Sequence, residues 1–368
     1  MGIQDLYNVM PKDCLEAKSL KEFANQSCVI DISIFLYKTI RSCGIGWINQ
    51  FIYLISVLRK NNIDLVCIFD GPNPPPEKKR EQLRRRDQVS KQIEKLQRSQ
   101  ELKSLIEDKW ILDPMYVIPD EIIKECQDLT KKFYTNPQGV ITELESTITK
   151  LTNQTIPITN DYKEKAKQIL EILDVKIVQA DGEAEALCAS MVRDGFVDFV
   201  LTEDTDVLAY GARRMCAFKK FKFSDEMVYE INLDKVLLSL NMTFPSFLDL
   251  CILLSCDYND RVKGWVPTLQ KQKKPIAIGA KHAVSMIEEY GTLDVAKEYL
   301  EDPEPLIYER CREIFSGVDY DTTMIPSQTP PNPNYDLLES FLEENYSTMS
   351  IEFISRCFGS NIRRKGVL

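Results

Sequence analysis

Four short apolar runs, each ending in an acidic residue, constrain this chain more than any other feature. They are CVID (28–31), DLVCIFD (64–70), VKIVQAD (175–181) and FVDFVLTED (196–204). Runs of this length, rich in Val, Ile and Phe, predict strands buried on both faces of a parallel sheet. Helical patterns alternate with them over Ile48–Lys60, Lys163–Leu173 and Glu183–Arg193, the last closed by Gly195. Strand alternating with helix predicts an α/β fold, a doubly wound, mostly parallel sheet flanked by helices. Such sheets bind ligands beyond the carboxyl ends of their strands, which is where the acids fall.

The chain has 368 residues, 44% of them hydrophobic, enough for a substantial core, and a formal net charge of -10. That average argues against a nucleic-acid partner, which calls for a basic face, but it hides an asymmetry. After the breaker Pro72–Pro76, a charged helix is expected from Glu77 to Asp108. Between Lys78 and Arg98 it carries nine Lys or Arg against three acids, a local charge of +6. Its apolar positions are few (Leu83, Val89, Ile93, Leu96), so it buries only a thin stripe. The residues from Trp110 to Lys150 show no clear pattern. Eleven scattered cysteines without a C-x-x-C and a single histidine, His282, exclude zinc. Free thiols in this number point to a reducing compartment. The N-terminus lacks a signal-peptide pattern and no apolar run reaches transmembrane length, so a soluble, intracellular protein without a membrane partner is expected.

The candidate cluster is Asp31, Asp70, Glu183, Glu185, Asp204, Asp206 and Asp257. A single strand-terminal Asp usually caps a helix or shapes a turn. Four strands ending in acid, with Asp257 in a Ser-Cys-Asp-Tyr turn besides, point to a shared site. Glu183 and Glu185 are spaced i, i+2, which on a regular helix faces them apart. They reach one site only if Glu183 lies at the helix N-terminus, and Asp181-Gly182 before it suits that. Asp204 and Asp206 are expected in a loop after a strand. Seven carboxylates in one pocket cannot all stay ionised unaided. Oxygen-only ligands select hard divalent ions, Mg²⁺ or Mn²⁺. Two such ions roughly 4 Å apart suit phosphodiester hydrolysis, activating water and stabilising the leaving oxygen.

The segments MGIQDL at the start, VIDIS (29–33), IFDG (68–71), GEAEA (182–186), TEDTD (202–206) and DLCILLSCDY (249–258) resemble, in this order, the flap endonucleases and their XPG-type relatives. The resemblance covers most of 1–75 and 163–300. It implies a PIN-like nuclease core with a helical arch insertion and a helix–hairpin–helix region. It implies that Asp31 (partly through water), Asp70, Glu183 and Glu185 hold a catalytic metal. Asp204, Asp206 and Asp257 would hold a second, shared with Glu185. Lys78 and Arg84 or Arg85 would contact the scissile phosphate, Tyr37 would stack on a base and Gly2 would lie near the DNA. The hairpin departs from the family's Gly-Ile-Gly: Lys263-Gly264 is separated by fourteen residues, carrying Lys271, Lys273 and Lys274, from Gly279-Ala280-Lys281. These basic residues are expected to touch duplex backbone, and the hairpin's monovalent-ion site is in doubt. His282 is expected to cap or pack.

The expected organisation is 1–70 and 161–245 as two parts of the nuclease core, 71–160 as the arch, 246–315 as the duplex-binding region, and 316–368 as a linker (Pro326–Pro333) with terminal helices. From Asp70 to Glu183 there are 113 positions, more than a typical arch needs. From Asp31 to Asp70 there are 39, so the duplex-splitting wedge is reduced. The chain ends at RRKGVL without an evident sliding-clamp peptide. These departures suggest a divergent, monomeric member encoded by a large DNA virus, acting in the nucleus or, if viral, at a cytoplasmic replication site. Three functions compete: a Mg²⁺-dependent 5′ nuclease on branched or nicked DNA with 5′→3′ exonuclease activity, serving replication, repair or recombination; an RNA-degrading relative; and a non-catalytic junction-binding subunit. The last would be expected to have lost some of the seven acids, and none is lost.

Overall fold

The computed structural model describes residues 2–219, 223–267, 269, 272, 274–318, 320 and 331–359. Lys271 and Lys273 and most of the expected linker lie outside the described residues. By contact the chain falls into two compact units: Met1–Leu36, Phe51–Lys79 and Lys163–Leu368 form one, Tyr37–Gln50 and Arg80–Tyr162 the other. The second therefore gathers Tyr37–Gln50 as well as most of the expected arch.

The first unit is built on a seven-stranded sheet. Its strands are β1 (Leu15–Ser19), β2 (Ser27–Asp31), β3 (Asp64–Phe69), β4 (Lys176–Gln179), β5 (Phe199–Leu201), β6 (Arg214–Phe218) and β7 (Met227–Asn232). Their order is β1-β7-β6-β5-β2-β3-β4. From β6 to β4 all neighbours are parallel, and β7 and β1 extend that sheet antiparallel. Cys28, Val29 and Ile30 of central β2 are fully buried, as are Val66, Cys67 and Ile68 of β3. That is why these strands read as unbroken apolar runs.

Two expected elements are corrected. The run 196–204 forms a strand only over Phe199–Leu201. Phe196 and Asp198 belong to the approach, where Asp198 Oδ2 accepts from the Ser27 N–H at 2.7 Å and from its hydroxyl at 2.8 Å. The charged helix runs Lys79–Leu112, after a 3-10 turn Pro76–Lys78. Pro75 and Pro76 hold φ near the value a first turn needs.

In the second unit that helix is exposed or half-exposed at every residue from Lys79 to Arg98. Leu102 and Ile106, further along, pack with Ile118, Cys126, Val140, Ile141 and Leu144. The patternless stretch forms helices Asp120–Thr130 and Pro137–Gln154. Asn136 caps the latter, its Oδ1 accepting from Gly139 N–H at 2.7 Å.

Back in the first unit, helix Phe244–Leu254 is followed by a two-stranded hairpin, β8 (Lys263–Gly264) and β9 (Ile276–Ala277), and helix Ala280–Tyr290. The insertion between the two glycine motifs is thus closed by pairing at its base. Gln272 secures it further: its amide donates to the Gly264 and Lys274 carbonyls, both at 2.8 Å, and accepts from Val266 N–H at 2.9 Å. A Cβ on Gly264 would lie 2.9 Å from the Tyr299 carbonyl, so the close approach of β8 to that loop requires glycine. Among the described residues no single helix is long and apolar enough to cross a membrane.

Candidate active site

The sheet brings its acids to one end. Asp31 is the last residue of β2 and Asp70 follows β3 directly. Glu183 is the N-cap of helix Ala184–Arg193 after β4, and Glu185 lies in that helix's first turn. This cap position lets an i, i+2 pair serve one centre. Asp204 follows β5, while Asp206 opens the short helix Asp206–Ala209 rather than sitting in open loop. Asp257 follows helix Phe244–Leu254.

Backbone hydrogen bonds hold these segments in register. The Gly71 N–H donates to the Gly182 carbonyl at 2.6 Å, and Asn73 N–H to the Asp181 carbonyl at 3.1 Å. A Cβ on Gly71 would fall 2.0 Å from the Asp181 carbonyl oxygen and 2.2 Å from that of Ala180, so only glycine lets the Asp70 and Glu183 loops meet. Asp70 Oδ1 accepts from Ala184 N–H at 3.1 Å. Gly2 has φ +86, and a Cβ there would lie 2.1 Å from Asp204 Oδ1. Gly2 thus packs against a carboxylate of the cluster. Asn259 fixes the turn carrying Asp257: its Oδ1 accepts from Cys256 N–H at 2.9 Å and its Nδ2 donates to the Ile252 carbonyl at 2.8 Å. Beneath the cluster the buried hydroxyls of Tyr210 and Tyr258 share a hydrogen bond of 2.8 Å.

Asp31, Glu183, Glu185, Asp204 and Asp206 are all buried. Burial first, then Asp70 and Asp204, push the Asp31 carboxyl well above the carboxylate range, although Ile34 N–H donates to it. Burial and then Asp204 and Asp257 do the same to Asp206. Burial raises Glu185 and Glu183 against the opposing pull of Lys78, and burial with Asp257 raises Asp204. These mutual influences tie six buried or half-buried acids and Asp257 into one electrostatic cluster. Lys78, only 8% exposed, enters it from the Pro76–Lys78 turn. Its Nζ pairs with Glu183 Oε2 and lies 3.5 Å from Glu185 Oε1 and 3.7 Å from Asp257 Oδ2. Burial alone would lower the Lys78 pKa, but Glu185, Glu183 and Asp257 hold it well above its usual value.

Among the described residues, no three His, Cys, Asp or Glu side chains are arranged to hold one ion as they stand. The donor set nonetheless fits a hard cation. Both carboxylate oxygens of fully buried Asp206, and Asp31 Oδ1, have no hydrogen-bond partner, and a buried anion without a partner is costly unless a cation supplies one.

The other expected residues belong to other elements. Arg84 and Arg85, in the second unit, both pair with Glu81, Arg84 Nε at 2.6 Å and Arg85 Nε at 2.7 Å. Tyr37, also in that unit, is half-buried on helix Ile32–Cys43. Lys263, Lys274 and Lys281 are exposed around the hairpin and Gly279 caps helix Ala280–Tyr290. His282 Nδ1 lies 3.4 Å from the Ala277 carbonyl, a packing role.

A parallel sheet with acids gathered beyond its strand ends, and a buried lysine among them, defines an acidic α/β centre. The comparisons with known proteins are specific. The XPG N-terminal domain matches residues 1–93 and the XPG I-region residues 174–257. The chain is 27% identical to flap endonuclease 1 of Drosophila mojavensis over 86% of its own length and 72% of that protein's. It is 26% identical to the probable RAD2-like endonuclease 076L of Invertebrate iridescent virus 3, over 93% of each. In fold it resembles the catalytic core of Rad2 in complex with DNA substrate, with a TM-score of 0.62 at 18% identity over 97% of this chain and 98% of that one. The chain thus carries matches to both XPG regions and is similar over most of its length to flap endonucleases, whose kind of activity is structure-specific 5′ nuclease cleavage.

Proposed function

We propose that this protein hydrolyses phosphodiester bonds of DNA at 5′ flaps, nicks or junctions, using two Mg²⁺ ions for which Mn²⁺ can substitute, with accompanying 5′→3′ exonuclease activity. The observation that carries this reading is the orphaned carboxylate of Asp206 among buried acids at the ends of adjacent parallel strands. Asp31, Asp70, Glu183 and Glu185 would hold one ion, and Asp204, Asp206 and Asp257 the second. The ions would supply Lewis-acid activation of water and neutralise the leaving oxygen. The chain's own residues do the rest. The Gly71–Gly182 contact fixes the spacing of Asp70 and Glu183. Asn259 holds the Asp257 turn. The buried Tyr210 and Tyr258 hydroxyls satisfy each other beside the acids.

We assign the substrate contacts to Gly2, Tyr37, Lys78, Arg84 and Arg85, on the strength of the family's motifs. Duplex backbone would meet Lys263, Gly264, Lys271, Lys273, Lys274, Gly279 and Lys281, supported by the exposure of Lys263, Lys274 and Lys281 around the paired hairpin. The protein would act as a monomer wherever its DNA is replicated, in the nucleus or at a viral replication site. The test is a cleavage panel of labelled 5′-flap DNA, nicked duplex and single-stranded RNA. Flap cleavage exceeding RNA cleavage is expected; preferential degradation of the RNA would refute the DNA assignment.

A further inference from the structure

The position of Lys78 is unusual for a residue whose assigned partner is a substrate phosphate. Its ammonium meets three carboxylates from three segments: the cap residue Glu183, the helical Glu185, and Asp257 beyond helix Phe244–Leu254. The turn that delivers it is itself anchored, since Arg310 Nε donates to Glu77 Oε1 at 2.8 Å. The side chain can therefore leave without unseating the backbone at Pro76–Lys78. An ammonium and a divalent cation cannot share the same oxygens, because two positive charges a few ångströms apart in a buried site repel strongly.

We propose that Lys78 is the centre's built-in counter-ion. It binds Glu183 and Glu185, assigned above to one divalent ion, and Asp257, assigned to the other, and it exchanges with those ions. Without the divalent ion Lys78 keeps the crowded acids compatible with the fold. Loading of the ion releases the ammonium toward solvent, where a substrate phosphate can take it up. The order of events follows: the lysine becomes available to substrate only after the ion has bound. This inference rests on the metal-dependent reading above and adds an antagonism within it.

Two measurements on the full chain, without DNA, test it. The first is Mn²⁺ affinity by electron paramagnetic resonance for the wild type and Lys78→Met. The variant should bind about tenfold more tightly, within the usual range for coupling between two ligands, while cleaving flap DNA more slowly. The second is acetic anhydride labelling of wild-type Lys78, read by mass spectrometry with and without Mg²⁺. Labelling should rise several-fold with Mg²⁺, while exposed Lys281 changes little. If Lys78→Met fails to fold, the labelling result decides alone. Equal or weaker Mn²⁺ binding by a folded variant, or Lys78 labelling unmoved by Mg²⁺, overturns the proposal. A wild-type chain that binds no Mn²⁺ overturns the metal-dependent reading itself, and the antagonism with it.

Discussion

Asp206 carries the strongest residue-level argument. Its carboxylate is wholly buried, its oxygens lack partners, and Asp204 and Asp257 crowd it. In metal-free protein this costs stability, so Asp206→Asn should raise the melting temperature in chelator, by about 1–2 °C for each kcal/mol relieved in a chain of 368 residues. The same variant should lose most of the wild type's melting-temperature rise with Mg²⁺, because a ligand bound only by the native state stabilises it. An Asn variant less stable in chelator would show that the buried charge is already compensated. A pH dependence follows from the same group of acids. Asp31, Glu183, Glu185, Asp204 and Asp206 have pKa values raised by burial. The folded chain therefore takes up protons more readily than the unfolded one, and stability rises as pH falls through the raised values toward the ordinary carboxylate range. Thermal melts in chelator from mildly alkaline to mildly acid buffer should move upward, and saturating Mg²⁺ should flatten the trend. A steady fall in stability over that range in chelator would contradict the account.

The elements differ in how plainly the sequence announces them. β2 and β3 are legible because burial on both faces demands apolar residues in succession; edge strand β4 (KIVQ), with only Val178 buried, shows itself by its place before Asp181. β1 (LEAKS) and β7 (MVYEIN) are not legible, because they are antiparallel strands that interleave charge with apolar residues. β6 (RMCAF) is as long as β2 but is followed by Lys219 rather than an acid, so it lacks the ending that marks the other runs. Asp31, Asp70 and Asp204 were legible as strand endings, but the contacts that aim the acids were not. Gly2 against Asp204 joins residues far apart in sequence, and so does the clamp beneath helix Phe244–Leu254. There Asp249, only 1% exposed, accepts from Arg312 Nε at 2.8 Å and Nη2 at 2.6 Å, and from Leu293 N–H at 2.8 Å. This ties the helix before Asp257 to helix Tyr308–Phe315. An isolated Asp within an apolar helix was the available signal. Arg312→Ala should cost about 2–3 kcal/mol in denaturant melts, below the ~3–5 kcal/mol of a fully buried pair because Arg312 reaches solvent. A cost under about 0.5 kcal/mol would mean Asp249 is satisfied by Leu293 alone, since exposed pairs contribute that little.

At the scale of the whole molecule, a chain of net charge -10 must separate its acidic centre from the surfaces that meet a polyanion. Seven of its 56 acidic residues gather in the cluster, and a run of +6 lies on an exposed helix. Exposed Lys263, Lys274 and Lys281 offer a second basic surface. Changing Lys271, Lys273 and Lys274 together to Ala should weaken flap-DNA binding. The slope of log affinity against log salt should fall by about 0.9 for each phosphate the protein no longer neutralises. Cleavage at saturation should change little. A slope equal to the wild type's would remove these three lysines from the DNA interface and leave Lys263 and Lys281 to provide the grip.

The central claim, that the buried acids form a divalent-cation centre for DNA hydrolysis, is tested most directly by single-turnover cleavage of a labelled 5′-flap duplex. Wild type and Asp204→Ala would be compared in Mg²⁺ and in excess chelator, with DNA affinity measured alongside. Cutting by the wild type in Mg²⁺ alone is predicted. Asp204→Ala should not cut in either condition, yet should bind the flap within a few-fold of wild type, since phosphate contacts elsewhere dominate affinity. Cleavage that persists in chelator, or an Asp204→Ala protein that cuts at a tenth of the wild-type rate or faster, would contradict the account.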